Sequence, residues 1–278
     1  MLIFETVSNI KQFVIAEKYN NKSIAFVPTM GVLHDGHLSL IEKAKQIADI
    51  VIVSIFVNKK QFNNQQDYQL YPKNLDSDKI MLQHLQVDAL FMPQDSEIFS
   101  RDHIININVG NLAKCLCGSF RPNHFEGAAL IVAKLFNIIN PDFAIFGEKD
   151  FQQLLIIRKM VQDLNFTTKI ISCPTVRDNR GLALSSRNLR LSSANIELAS
   201  KIYLAMQMAR KDPHNIANIS KWLIANGFSS IDYFEIRNEQ TLQLAESYQF
   251  LANSTNLRVF IAIYLQEVRL IDNLSFAT

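Results

Sequence analysis

The ten residues DIVIVSIFVN (49–58) constrain the fold more than any other stretch of this chain. The run is almost wholly apolar and rich in β-branched side chains. It shows neither the alternation of a half-exposed strand nor the spacing of a surface helix. It is also far shorter than the ~20 residues that cross a bilayer. What remains is a strand covered on both faces, the kind found in parallel sheets. The neighbouring sequence agrees. Residues 24–27, 87–92, 142–146 and 169–172 read as further strands. Between them, 37–48, 76–85, 128–139 and 151–164 read as helices. In the first of these, Leu38, Leu40, Ile41, Ala44, Ile47 and Ala48 recur at helical spacing. Strands alternating with crossover helices predict an α/β fold with a Rossmann-like, doubly wound parallel sheet. Ligands of such sheets bind outside the carboxyl ends of the strands.

Past Pro174 the pattern changes. Helical stretches at 193–211 and 219–226 are followed by strand-like runs at 231–237, 259–265 and 268–271, which predict an antiparallel sheet. The expected organisation is therefore a Rossmann-like domain over 1–175 and a smaller α+β C-terminal domain over 176–278, with no internal repeat.

A formal net charge of +2 over 278 residues argues against a nucleic-acid surface. Cys115, Cys117 and Cys173 are few and odd in number, which speaks against a disulfide framework and for the reducing cytoplasm. Cys115 and Cys117 have a single residue between them, not the wider spacing of zinc ligands. No basic segment followed by an apolar core opens the chain, and no run is long enough to span a membrane. A cytoplasmic protein without membrane or nucleic-acid partners is expected.

Five polar stretches carry candidate chemistry, and each has a bland alternative. PTMGVLHDGHLSL (28–40) follows a strand and opens a helix, whose free N–H groups and dipole suit anions. His37-Leu38 stands where a P-loop needs Lys and then Ser or Thr, so that motif is rejected. The alternative is a turn with two solvated histidines. FVNKKQF (56–62) offers Asn58 and Gln61, amides that both donate and accept, or simply a polar loop. FGEKDFQQL (146–154) offers Lys149 for phosphate, Asp150 for ribose hydroxyls and Gln153 one turn on; Asp150 could equally be a helix cap. LALSSRNLRL (182–191) combines two hydroxyls with Arg187, suiting a loop that closes on a triphosphate, or forms a capped linker. In RPNHFEG (121–127) the residues alone leave Arg121 as either a surface cation or an anion contact.

Taken in order, PTMGVLHDGH, VSIFVNKKQF, YPKNLDSD, RPNHFEG, KLFNIINPD, FGEKDFQQL, GLALSSRN and the late RLIDN resemble the pantoate–β-alanine ligase family, over nearly the whole chain. That family belongs to the HxGH adenylate-forming nucleotidyltransferases. The resemblance implies a cytoplasmic homodimer with a Rossmann-like domain and a smaller C-terminal lid. It implies a reaction in which (R)-pantoate and ATP give pantoyl adenylate and pyrophosphate. β-Alanine then displaces AMP to give pantothenate, on the route to coenzyme A.

The resemblance also implies roles. Met30, Gly31, Val32, Leu33, His34, Asp35, Gly36 and His37 would form the ATP site, with His34 and His37 at the triphosphate. Gly147, Glu148, Lys149 and Asp150 would line the nucleotide, and Val176 would meet adenine through its backbone. Leu184, Ser185, Ser186 and Arg187 would close over the phosphates. His34, His37, Lys149, Ser185, Ser186 and Arg187 would be the catalytic set. Asn58, Gln61 and Gln153 would hold pantoate, and Gln61 later β-alanine. Mg2+ would bridge phosphate oxygens with Asp78 near it, but the neighbouring acidic position of the family is Ser77 here, which speaks against a protein ligand and leaves contact with Asp78 open. Other departures are Lys59 for proline, Lys73 for arginine, Asn123 for glycine and Ala129-Leu130 for a small-polar pair. Another HxGH nucleotidylyltransferase, or a non-catalytic nucleotide-binding relative, are the alternatives.

Overall fold

The computed structural model describes residues 1–63, 65–100, 102–245 and 256–277. The chain divides into two compact units. The first comprises Met1–Gly110, Arg121–Glu148 and Gln153–Pro174; the second comprises Asn111–Phe120, Lys149–Gln152 and the chain from Thr175 onward. The expected boundary at 175/176 treats the chain as two continuous pieces, whereas the second unit also takes in two short segments from the first 175 residues.

The first unit is built on strands β1 (Leu2–Phe4), β2 (Ile24–Thr29), β3 (Ile50–Ile55), β4 (Ala89–Phe91), β5 (Phe143–Gly147) and β6 (Lys169–Cys173), in the order β1-β4-β3-β2-β5-β6. Every pairing is parallel. All six residues of β3 are buried, as a strand covered on both faces must be. Helices α1 (Val7–Tyr19), α2 (Asp35–Ile47), α4 (Leu75–His84), α7 (His124–Ile139) and α8 (Phe151–Asp163) form the layers around the sheet, with the short helices α3 (Gln65–Gln69) and α5 (Asp95–Ile98) in the connections; the short α6 (Cys117–Phe120) belongs to the second unit. α2 turns Leu40, Ile41 and Ala44 inward, the stripe its spacing predicts.

β1 and α1 are elements the patterning does not reveal. β1 has three residues at the sheet edge, and α1 buries only Ile10 and Val14. At β2 the chain order reverses, with β3 on one side and β5 on the other. This is the topological switch point, where a doubly wound sheet opens a crevice at its carboxyl edge. The 30–34 loop leaves the sheet there.

The second unit pairs β7 (Ser230–Asn238), β8 (Leu257–Leu265) and β9 (Val268–Ser275) in an antiparallel sheet of order β7-β8-β9. Its core joins Ile202, Met206 and Leu223 to Val259, Ile261 and Ile263. The single helix expected over 193–211 is two, α9 (Ser193–Ala199) and α10 (Lys201–Lys211). At the junction Ser200 Oγ donates to the Glu197 carbonyl at 2.6 Å, a local bond that competes with a continuous helix. α11 (Ile216–Ala225) follows. β9 continues four residues past its expected end, because Arg258–Ile261 of β8 pair with its Asp272–Ser275, polar but for Leu274. Among the described residues no helix is long and apolar enough to cross a membrane.

Candidate active site

The loop after β2 is held by side chains beneath it. Gly31 and Val32 both have left-handed backbones, at φ +81° and +53°. Glycine tolerates this, whereas valine adopts it only under strain. The Asp78 carboxylate, 1% exposed, accepts from Val32 N–H at 2.8 Å and from Leu33 N–H at 2.7 Å. Thr29 Oγ1 accepts from Gly31 N–H at 3.2 Å and donates to the Ser54 carbonyl at 2.8 Å. A Cβ on Gly31 would lie 3.0 Å from Asp78 Oδ2 and 3.1 Å from Ile55 Cγ2.

His34 then caps α2. Its Nδ1 accepts from Gly36 N–H at 3.2 Å, while His34 N–H donates to His37 Nδ1 at 3.3 Å. The two rings lie 4.1 Å apart. A backbone N–H can only donate, so each Nδ1 must be the acceptor, and in the neutral ring the proton sits on Nε2. Each neutral ring therefore carries its donor hydrogen on Nε2.

The second cluster of this unit surrounds Gln61, in the 3₁₀ turn Lys59–Gln61. Asn58 is 1% exposed and its amide is committed to the protein. Oδ1 accepts from Lys60 N–H at 3.2 Å, and Nδ2 donates to Gln61 Oε1 at 3.1 Å and to the Gly127 carbonyl at 3.0 Å. Gln61 Nε2 in turn reaches Met30 Sδ at 2.7 Å. His124 Nδ1 lies 2.7 Å from the Gln61 carbonyl, and Arg121 Nη1 lies 3.0 Å from His124 Nε2. A guanidinium only donates, so His124 carries its proton on Nδ1 and gives it to the Gln61 carbonyl. α7 comes so close that a Cβ on Gly127 would lie 2.3 Å from the Lys60 carbonyl oxygen.

The turn Glu148–Asp150 follows β5 directly. Lys149 Nζ is 4.0 Å from Asp150 Oδ1. Gln153 lies half-buried on the first turn of α8. In the second unit the segment 176–184 folds back on itself: Leu184 N–H donates to the Val176 carbonyl at 3.0 Å, and Asp178 Oδ1 accepts from Arg180 and Leu182 N–H at 2.9 and 2.8 Å. That hairpin presents Ser185, whose Oγ accepts from Arg187 N–H at 3.3 Å and caps the 3₁₀ turn Ser186–Arg190.

The sequence matches the family model for pantoate–β-alanine ligases over residues 2–275. The chain belongs to the pantoate–β-alanine ligase family. It is 42% identical over 285 residues to a pantothenate synthetase of Clostridium botulinum (strain 657 / Type Ba4), covering 99% of each chain. It is 38% identical to one of Caldicellulosiruptor bescii, covering 99% of this chain and 98% of the relative. Among solved structures, a Thermus thermophilus pantoate–β-alanine ligase superposes with a TM-score of 0.91 at 36% identity, covering 100% of both chains. A Francisella tularensis pantoate–β-alanine ligase complexed with beta-gamma ATP and β-alanine gives 0.87 at 39% identity, covering 100% of this chain and 98% of that one. The fold is that of the family, and the chain is an ATP-dependent ligase of pantothenate synthesis.

Several pantoate–β-alanine ligase motifs thus contain two kinds of residue. Asp78, in the stretch where the resemblance places the metal, is a buried strut for backbone. Asn58, expected to line the substrate pocket, is packed beneath Gln61. Three residues have roles that the sequence alone does not reveal. Arg121 and His124 orient the Gln61 carbonyl. Gln152, next to Gln153, accepts from Cys117 N–H at 3.1 Å and donates to the Leu112 and Cys115 carbonyls at 2.7 and 2.8 Å. Cys117 itself packs its thiol 3.1 Å from the Tyr233 hydroxyl and accepts from Arg269 Nη1 at 3.4 Å. Burial pushes the half-buried Cys115 thiol above its ordinary range. Among the described residues no three His, Cys, Asp or Glu groups converge as metal ligands.

Proposed function

We propose that the chain activates the pantoate carboxylate by adenylation and then passes the acyl group to β-alanine. In the first step a pantoate carboxylate oxygen attacks the α-phosphorus of ATP, the bond to the β-phosphate oxygen breaks, and pyrophosphate leaves. In the second, the free amine of β-alanine attacks the acyl carbon, AMP leaves, and the amine proton passes to solvent. A carboxylate is a poor electrophile, and adenylation gives it a good leaving group.

The observation that carries this reading is the His34/His37 pair at the switch point. Both Nδ1 atoms are engaged by backbone, so each neutral ring holds its proton on Nε2, and in this reading those N–H groups meet phosphate oxygens. Charge builds on non-bridging oxygens and on the departing pyrophosphate, and preorganised donors aimed there are the main source of acceleration. In this assignment His34, His37, Lys149, Ser185, Ser186 and Arg187 supply those donors. Met30–His37, Gly147–Asp150, Val176 and Leu184 bind the rest of ATP. Gln61 and Gln153 hold pantoate extended, so that its hydroxyl does not close on its own activated carboxyl. Asn58 acts through Gln61.

Magnesium enters as the substrate MgATP. Asp78 is 1% exposed and already clamps two backbone N–H groups, and in this reading the ion would be held by phosphate oxygens. In the same reading 176–278 serves as a lid, the enzyme works in the cytoplasm, and two copies associate. Three free thiols suit a reducing compartment. Ile104 and Ile105, 80% and 65% exposed, offer apolar surface for a second copy, which sedimentation would test.

The deciding experiment measures AMP release from ATP and pantoate with and without β-alanine, together with pantoate-dependent ATP–pyrophosphate exchange. Pantothenate formation and exchange are expected. Exchange without pantoate, or AMP release indifferent to β-alanine, defeats the proposal.

A further inference from the structure

The stretch RLIDN (269–273) takes no part in the reaction as described. In β9 its last two residues are polar yet buried, at 5% exposure for Asp272 and 3% for Asn273. Burial without partners would be costly. Their partners are Arg258 on the neighbouring strand β8 and two further segments of the second unit. Asn273 Nδ2 donates to the Lys149 carbonyl at 2.9 Å. Arg258 Nη1 donates to Asn273 Oδ1 at 2.5 Å, and its guanidinium lies 3.8 Å over the Phe151 ring. Because Arg258 can only donate, it fixes the oxygen side of the Asn273 amide and turns the NH2 toward Lys149.

Asp272 meets Arg177 as a fork, Nη1 to Oδ2 at 2.5 Å and Nη2 to Oδ1 at 2.9 Å. Such bidentate pairs fix direction as well as distance. Arg177 Nη1 also donates to the Gly181 carbonyl at 3.0 Å, and the guanidinium stacks 4.1 Å over Tyr203. Gly181 is itself wedged there, since a Cβ would lie 2.6 Å from Tyr203 Cδ1. Asn273 N–H donates to Asp272 Oδ1 at 2.8 Å, which locks the two residues to each other.

We infer that Asp272 and Asn273 are positioning residues for the nucleotide-handling groups of this unit. Asn273 fixes the turn that carries Lys149. Asp272, through Arg177 and Gly181, fixes the base of the loop that presents Ser185, Ser186 and Arg187. As neighbours on one strand, they hold the two segments at a constant separation. The inference rests on the assignment of those groups to ATP.

Asn273→Leu keeps the branched shape and heavy-atom count and removes both side-chain hydrogen bonds. Pantoate-dependent ATP–pyrophosphate exchange should fall at least tenfold in kcat, with the pantoate KM within twofold of wild type. ATP stoichiometry by calorimetry should stay near one per chain, which separates misplaced groups from a shrunken folded fraction. Amides 149–153 should exchange hydrogen at least tenfold faster. Asp272→Asn, a second variant that retains most of the packing, should loosen amides 182–187 instead. A kcat that falls only in proportion to the ATP stoichiometry, or amide exchange at the wild-type rate in both variants, overturns the inference. Wild-type protein without pantoate-dependent exchange overturns the reaction assignment, and amide exchange then still decides whether the two residues hold these segments.

Discussion

Replacing Asp78 by asparagine changes one atom of a buried carboxylate and separates two accounts of this residue. The carboxylate accepts from Val32 and Leu33 N–H at 2.8 and 2.7 Å. Asparagine keeps one acceptor and turns NH2 hydrogens on the other N–H. Losing one charge-assisted bond and stranding a buried N–H costs about 2–4 kcal/mol if nothing moves. Something can move, however. Val32 is held at φ +53°, a backbone state that stores roughly 1–3 kcal/mol in a β-branched residue. Freed from its clamp, the loop can relax and recover that strain. The expected loss of global stability is then only about 1 kcal/mol, the difference between that penalty and the strain released.

The consequence for activity is much larger. Val32 and Leu33 lead directly into His34, and a displacement of about 1 Å in reacting groups can cost on the order of a hundredfold in rate. Urea unfolding and ATP–pyrophosphate exchange, run on the same preparation, should therefore diverge: a small change in midpoint beside a fall in exchange of roughly a hundredfold. A loss of about 4 kcal/mol with normal exchange per folded molecule would mean that the loop stays put without its clamp. Unchanged stability with a shifted magnesium requirement would make Asp78 a metal ligand after all. Either result refutes the strut.

His37→Ala should fold normally and lose at least tenfold in exchange; oxyanion donors of this kind are typically worth about 2.7–4 kcal/mol in rate, and unchanged exchange would remove His37 from the mechanism. Gly127→Ala should raise the pantoate KM while sparing ATP affinity, because its Cβ would lie 2.3 Å from the Lys60 carbonyl and push the Gln61 turn aside; calorimetry with each substrate checks this. Tyr233 gives a pH prediction. Burial, reinforced by the Cys117 thiol, holds its hydroxyl well above the ordinary value near 10. The folded protein keeps a proton that the unfolded chain sheds above about pH 10, so stability should fall there by about 1.4 kcal/mol per pH unit. Denaturant unfolding between about pH 9 and 11 should show a shallower slope in Tyr233→Phe, and equal slopes would contradict the assignment.

What the sequence discloses follows from how each feature is encoded. The buried strand β3 and the apolar stripe of α2 are periodic, so composition and spacing suffice to find them. β1 is three residues long and α1 barely amphipathic, so neither has a period to read. In the site, glycines and charged residues stand out in a motif, but their partners do not. Nothing local to YPKNLDSD says that Asp78 reaches back 46 residues to Val32. Nothing in RPNHFEG says that Arg121 faces a histidine whose other nitrogen grips the Gln61 carbonyl. One departure becomes intelligible only with dihedrals. Asn123, where the resemblance expects glycine, precedes α7 at φ +63°, and asparagine is among the few other residues that tolerate that region. Similarly, Lys59 opens the 3₁₀ turn at the position where proline is favoured for its preset φ rather than for any contact.

These cases share a physical logic. A displayed donor works only if its backbone cannot drift, and backbone in a loop has no ladder to hold it. The chain supplies that constraint with polar side chains buried beneath the loops: Asp78 under Val32 and Leu33, Asn58 and His124 around Gln61, Asn273 under Lys149. Burying such groups is tolerable because each is fully engaged, and it is useful because hydrogen bonds away from water are stiff and directional. The motif stretches of this chain therefore hold, beside the residues proposed to meet substrate, residues that grip backbone. Substitution of the second kind should be the harder to tolerate conservatively. An Asp→Asn change there turns an acceptor into a donor, and Asn→Leu deletes both, in a place shielded from water.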